Sequence, residues 1–180
     1  MGEHVLLVGM MGSGKSTVGR IVADRMRRPF HDSDADVERR TGESVPAIFA
    51  ARGEPAFRAE ERAALCASLA SPVPSVVAVA GGAVLDPEAR RRLRSGGIVF
   101  WLEVVPQVLA ERVGNGIGRP LLGRDPVGTL QRLDALRRPV YRGLSDHVVH
   151  VGGRRPQALA EEVVRAARER LEAQGGGRCR

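Results

Sequence analysis

The chain has 180 residues with 43% hydrophobic and 27% charged content, which bounds it to one globular domain with room for a real core. Its net charge is +7, but four Phe, one Trp and one Tyr are too few for base-stacking platforms, so small anionic ligands are expected rather than nucleic acid. No apolar run approaches membrane length, and Cys66 and Cys179 show neither disulfide nor metal spacing. The opening Met-Gly-Glu-His-Val lacks the basic flank of a signal peptide, so a cytoplasmic location is expected.

In chain order, His4 to Val8 reads as a buried strand. It runs into Gly9-Met10-Met11-Gly12-Ser13-Gly14-Lys15-Ser16-Thr17, which fits the phosphate-binding pattern G-x-x-x-x-G-K-[ST]. Val18, Ile21, Val22 and Met26 follow at helical spacing, so the motif has the strand–loop–helix context it needs. Glycines there let backbone N–H groups turn onto phosphate oxygens, and the new helix adds its positive end. Gly12 to Thr17 are therefore candidate nucleotide-binding residues. Lys15, the only lysine in the chain, suits the outer phosphates, and the Ser16 hydroxyl suits Mg²⁺.

Pro29 to Asp32 reads as a second strand and Asp34 to Arg40 as a short helix stopped at Thr41-Gly42. Ser44 caps another turn through Phe49, which Gly53 ends, and Glu54 to Ala70 is a longer helix. Asp32 and Asp34, two apart on extended chain, project from the end of a strand, where open α/β sheets bind ligands. One suits the metal and the other a substrate hydroxyl. Arg58 and Glu61 share a helix face in line with Leu65 and Leu69, so an ion pair lies within an apolar stripe and can aim a guanidinium at a carboxylate.

Val76 to Val79 is a third strand, followed by Ala80-Gly81-Gly82; Asp86-Pro87-Glu88 is a capped helix start. Ile98 to Val104 is a fourth strand, and Pro106 opens a helix fading at Gly114. Gly114 to Pro126 is a glycine-rich lid carrying Arg119, a cation placed to close over a transferring phosphoryl group. Leu130 to Arg138 is helical, with Tyr141-Arg142 following it. His147 to Val151 is a last strand, Pro156 to Ala173 a last amphipathic helix, and residues 174–180 a disordered tail. Alternating strands and helices predict a parallel sheet covered on both faces.

The run Asp32-Ser33-Asp34, Glu38, Thr41-Gly42, Ile48-Phe49, Gly53-Glu54, Phe57-Arg58 and Glu61 resembles the central signature of the shikimate kinase family. Gly81-Gly82-Ala83-Val84, Arg119-Pro120-Leu121-Leu122 and Pro139-Val140-Tyr141-Arg142 extend the likeness across nearly the whole chain. The resemblance implies a three-layer α/β/α P-loop NTPase fold, a five-stranded parallel sheet with flanking helices and a mobile lid. One kinase domain over residues 1–173 would carry the lid at about 113–126 and the substrate-binding region at about 32–62.

It also implies transfer of the γ-phosphate of ATP to the 3-hydroxyl of shikimate, with Mg²⁺, in a monomer. By position, Asp34 meets the shikimate hydroxyls, while Arg58, Arg142, Gly81 and Gly82 hold the substrate and Glu61 steadies Arg58. Asp32 joins Ser16 at the Mg²⁺ shell, Lys15 and Arg119 stabilise the phosphates, and Arg112, Arg154 and Pro156 flank adenine. The family usually carries a third glycine where this chain has Ala80.

A P-loop kinase of the same fold acting on another small hydroxylated acid or cyclitol is the alternative. A guanine-nucleotide switch needs Asn-Lys-x-Asp, and the chain has no lysine beyond Lys15. An inactive binding module would lack part of the catalytic set, and none is missing.

Overall fold

The computed structural model describes residues 3–113 and 125–175. Five strands, β1 (His4–Val8), β2 (Phe30–Asp32), β3 (Val76–Ala78), β4 (Gly97–Glu103) and β5 (His147–His150), form one sheet in the order β2-β3-β1-β4-β5. Every pairing is parallel. Strands buried on both faces read as continuous apolar runs rather than alternating ones. That is the sequence of β1 and β4, whose Val5 to Val8 and Ile98 to Leu102 are nearly inaccessible.

Among the described residues, seven α-helices connect and cover the sheet: α1 (Lys15–Met26), α2 (Ser33–Thr41), α3 (Val45–Ala70), α4 (Pro87–Gly96), α5 (Pro106–Val113), α6 (Pro126–Leu144) and α7 (Pro156–Gly175). The principal core joins the sheet to the helices around it; Val22, Leu65, Leu93, Leu130 and Leu159 are buried there. A second small cluster, Val37, Ile48, Phe57 and Ala64, sits between α2 and α3. The substrate-binding region thus has its own apolar anchor.

The elements differ from the sequence reading in three places. Ser44 caps as expected, its Oγ accepting from the Ala47 N–H at 3.3 Å. Its helix breaks at Gly53 as expected, at φ 76°, ψ 173°, and a second helical segment runs from there to Ala70, the two making up the kinked α3. Only glycine adopts that backbone without strain, so the kink is written into the residue type.

α2 begins at Ser33, because the Asp32 carboxylate accepts from the Asp34 N–H at 3.2 Å. Asp34 is therefore in a first helical turn, not on extended chain. α6 runs through Pro139 to Leu144, so Tyr141 and Arg142 lie inside it. Proline costs a helix the bond to the carbonyl four residues back, here Ala135, which lies on the exposed face where water can replace it. Finally, α7 reaches Gly175, two residues into the stretch expected as tail. The rest of that tail, and the lid with Arg119, lie outside the described residues. No helix among the described residues is long and apolar enough to cross a membrane.

One buried hydrogen bond pins β1 to the approach to β3. His4 Nδ1 receives the Ser75 N–H at 3.1 Å and faces the Ser75 hydroxyl at 2.8 Å. An N–H can only donate, so Nδ1 is the acceptor and the ring proton sits on Nε2. Burial, with Arg28 and His31 nearby, lowers the His4 pKa. A base with a lowered folded pKa contributes stability that is complete above its unfolded value and lost as pH falls through the folded one. The wild type should therefore exceed His4→Asn in stability by about 1 kcal/mol at about pH 8, with the gap closing towards about pH 5. Thermal unfolding across that range checks it; a gap that does not change with pH contradicts it.

Candidate active site

The carboxyl ends of β1, β2 and β3 open into one cavity of about 560 Å³. Its lining includes Gly12 to Thr17 from the phosphate loop, Asp32 and Asp34 from the β2–α2 junction, Arg58 and Glu61 from α3, and Ala80 to Gly82 after β3. Arg112, Arg154 and Pro156 line it as well. Convergence at this edge follows from the all-parallel sheet, which sends every strand's exit to the same side.

In the phosphate loop, Gly14 caps α1 in the left-handed region at φ 93°. Lys15 Nζ donates to the carbonyls of Gly9 at 2.9 Å and Met10 at 3.0 Å, arching over the loop. Ser16 Oγ donates to Asp32 Oδ2 at 2.5 Å, while Asp32 Oδ1 holds the Asp34 N–H. A hydroxyl and a carboxylate oxygen are thus adjacent beside the phosphate loop. Such a hard pair fits Mg²⁺, which takes one or two protein oxygens and fills its octahedron with phosphates and water. No group of three or more His, Cys, Asp or Glu side chains placed to hold a metal ion exists among the described residues.

The opposite wall is built around Arg58. Its Nη1 donates to both oxygens of Glu61, at 3.1 and 3.0 Å, and its Nε and Nη2 donate to Glu54 Oε1 at 3.2 and 2.9 Å. Glu61 is 2% exposed. Burial raises its pKa, Arg58 opposes that, and the nearby Asp34 charge adds to it. Burial also works against the Arg58 charge, but the two glutamates outweigh it and its pKa is raised. The pair therefore holds a fixed cation against the cavity. Val45, Phe49 and Phe57 complete this wall with an apolar face, the two rings 4.8 Å apart.

Arg142, expected to hold a substrate with Arg58, is exposed on α6 and is not among the lining residues. Arg137 lines the cavity instead, one helical turn and a fraction earlier, 3% exposed, with no hydrogen-bond partner for its Nε among the described residues. The sequence reading missed it because it ended the helix at Pro139 and read Tyr141-Arg142 as following it. The signal was present: Leu130, Asp134, Arg137, Tyr141 and Leu144 recur at steps of four and three and are all buried.

On the nucleotide side, Arg112 Nη1 reaches the Gly12 carbonyl at 3.5 Å. Arg154 is held by Glu162 Oε2 at 2.7 Å and the His150 carbonyl at 3.2 Å, and Pro156 opens α7 beside it.

Gly82 shows how tightly the floor is fitted. A Cβ there would lie 2.6 to 2.9 Å from Nη1, Cζ and Nη2 of Arg58. The guanidinium is a flexible end, but Glu54 and Glu61 clamp it. Gly82→Ala should therefore push Arg58 out of register and weaken binding of a carboxylate ligand about tenfold, leaving nucleotide affinity unchanged. Titration calorimetry with each ligand checks this; equal loss for both ligands, or for neither, contradicts it.

Comparison with known proteins agrees with this geometry. The shikimate kinase family model matches residues 11–168. A shikimate kinase from Symbiobacterium thermophilum is 44% identical over 172 residues, covering 94% of this chain and 98% of that protein. One from Pseudomonas syringae pv. tomato is 41% identical over 163 residues, covering 90% and 94%. Among solved structures, the shikimate kinase from Acinetobacter baumannii in complex with shikimate superposes with a TM-score of 0.89 at 32% identity, covering 93% of this chain and 94% of that one. A gluconokinase from Sinorhizobium meliloti, at a TM-score of 0.64 and 22% identity, shares the fold. A phosphate loop facing an arginine-lined acid pocket across one cavity, in a chain this close to these relatives, has a single family reading: the chain belongs to the shikimate kinase family.

Proposed function

We propose that the chain transfers the γ-phosphate of ATP to the 3-hydroxyl of shikimate, giving shikimate 3-phosphate and ADP on the route to chorismate and the aromatic amino acids. The observation that carries this reading is that Lys15, Asp34 and Arg58 line one cavity. Phosphoryl transfer needs little covalent help from a protein; it needs positioning and charge neutralisation.

In this reading the backbone of Gly12 to Thr17 takes the phosphates. Lys15 exchanges the Gly9 and Met10 carbonyls for phosphate oxygens. Ser16 and Asp32 hold Mg²⁺, Asp32 through water, and the ion when bound neutralises phosphate charge. Arg112, Arg154 and Pro156 border the adenine. Arg58 and Arg137 grip the shikimate carboxylate, with Arg137 taking the part expected of Arg142, and the Gly81 and Gly82 backbone forms the floor. Asp34 accepts the hydrogen bond of the attacking hydroxyl. As the new O–P bond forms and the bond to ADP breaks, the hydroxyl proton passes to the Asp34 carboxylate. Glu61, raised in pKa and engaged by Arg58, is the positioning group and not the base. The protein works as a monomer, one copy holding a whole site.

A coupled ADP-release assay with shikimate, quinate, gluconate and AMP tests the substrate. Shikimate should exceed the others in kcat/KM by about 100-fold or more, because a site built to pair with a carboxylate and hydroxyls leaves buried groups unpaired with the wrong acceptor. In the same assay Asp34→Asn should lower kcat by about 10²–10⁴-fold with ATP affinity retained. Equal turnover of gluconate or AMP would overturn the substrate, and an unchanged kcat would remove Asp34 from the chemistry.

A further inference from the structure

Tyr141 is the only tyrosine in the chain and is fully buried, yet its hydroxyl sits at the edge of the cavity floor. It donates to the Gly81 carbonyl at 2.7 Å. A phenol has one proton, so the Met10 sulfur at 3.9 Å is a packing neighbour and not a second acceptor. The oxygen's remaining capacity is as acceptor, and the Arg137 guanidinium stands beside it, its Nη1 and the hydroxyl lying 3.3 and 3.2 Å from the same point above the Gly81 Cα. Burial pushes the phenol pKa up, so the proton stays on oxygen and the direction of the Gly81 bond is fixed. The ring is held by Trp101, stacked at 5.9 Å between centroids.

Three separate segments meet at the Gly81 Cα. A Cβ there would lie 3.0 Å from the Gly9 carbonyl, 3.2 Å from the Tyr141 hydroxyl and 3.3 Å from Arg137 Nη1. The phosphate loop, the floor after β3 and helix α6 are therefore in contact around one hydroxyl group. Without that hydroxyl, the Gly81 carbonyl loses its partner. Arg137 loses the oxygen beside it and is left to the pull of Glu61, with whose charge it already interacts.

We propose that Tyr141 is a positioning residue for the acceptor: its hydroxyl fixes Arg137 and the Gly81 peptide relative to each other, and so sets affinity for the acidic substrate without touching it. This rests on the reading of Arg137 and Gly81 as the shikimate-binding wall. Removing the oxygen alone, as in Tyr141→Phe, keeps the ring and its stacking.

The expected result for Tyr141→Phe is a KM for shikimate raised about tenfold, with kcat within about twofold and ATP affinity unchanged. Combined with Arg137→Lys, its effect should be less than additive, because both substitutions break one linkage. A merely structural hydroxyl would instead lower the melting temperature and weaken both substrates in parallel, and that outcome overturns the proposal. So does an unchanged KM for shikimate. Arg137→Ala run beside it separates the two failures: an unchanged KM in that variant sinks the binding-wall reading itself, whereas a raised KM there with a normal Tyr141→Phe sinks only the positioning role. A readout on the intact fold comes from meta-fluorotyrosine, which labels only position 141. Its fluorine resonance should move on adding shikimate and stay put on adding ATP; indifference to shikimate contradicts the role.

Discussion

A single carboxylate joins the two halves of this molecule's chemistry. Asp32 ends β2, accepts the Ser16 hydroxyl of the phosphate loop with one oxygen, and with the other caps the helix that carries Asp34. The group that holds the Ser16 hydroxyl is therefore also the group that sets where Asp34 stands. Neither half can shift without the other feeling it. A parallel sheet makes this possible, since β1 and β2 exit on the same side with only β3 between them.

The acceptor half solves a different problem, that of keeping cations aimed at a cavity in a partly dry wall. Burial opposes charge, and the structure meets that cost with pairing: Arg58 between Glu54 and Glu61, and Arg138, next to Arg137 on α6, between Asp134, Glu103 and the Val104 carbonyl. With Arg138 tied to the end of β4, the phase of α6 is set, and Arg137 and Tyr141 turn inwards. The small Val37–Ile48–Phe57 cluster anchors α2 and α3 separately from the main core.

Much of this was legible in the residues, for identifiable reasons. The phosphate loop announces itself because its chemistry needs glycines and a lysine at fixed spacing. The Arg58–Glu61 pair stood out because charge in an apolar stripe demands a partner. The fold followed from short apolar strand runs alternating with helical ones. What the sequence did not disclose depended on helix phase and continuity. Pro139 reads as a terminus, yet the helix pays its missing bond on the exposed face and carries on. That one continuation turns Arg137 rather than Arg142 towards the cavity. Asp34 was placed beside Asp32 for an extended-chain reason, whereas a cap puts it in the first turn of α2; both geometries open towards the same cavity.

The central claim is that donor phosphate and acceptor hydroxyl meet directly in one cavity, between Lys15 and Asp34, with no phosphate parked on the protein. Phosphoryl transfer from ATP made chiral at the γ-phosphorus with oxygen isotopes tests that most directly. One in-line displacement predicts shikimate 3-phosphate with inverted configuration; retention would mean two displacements through a phosphorylated side chain and would contradict the account.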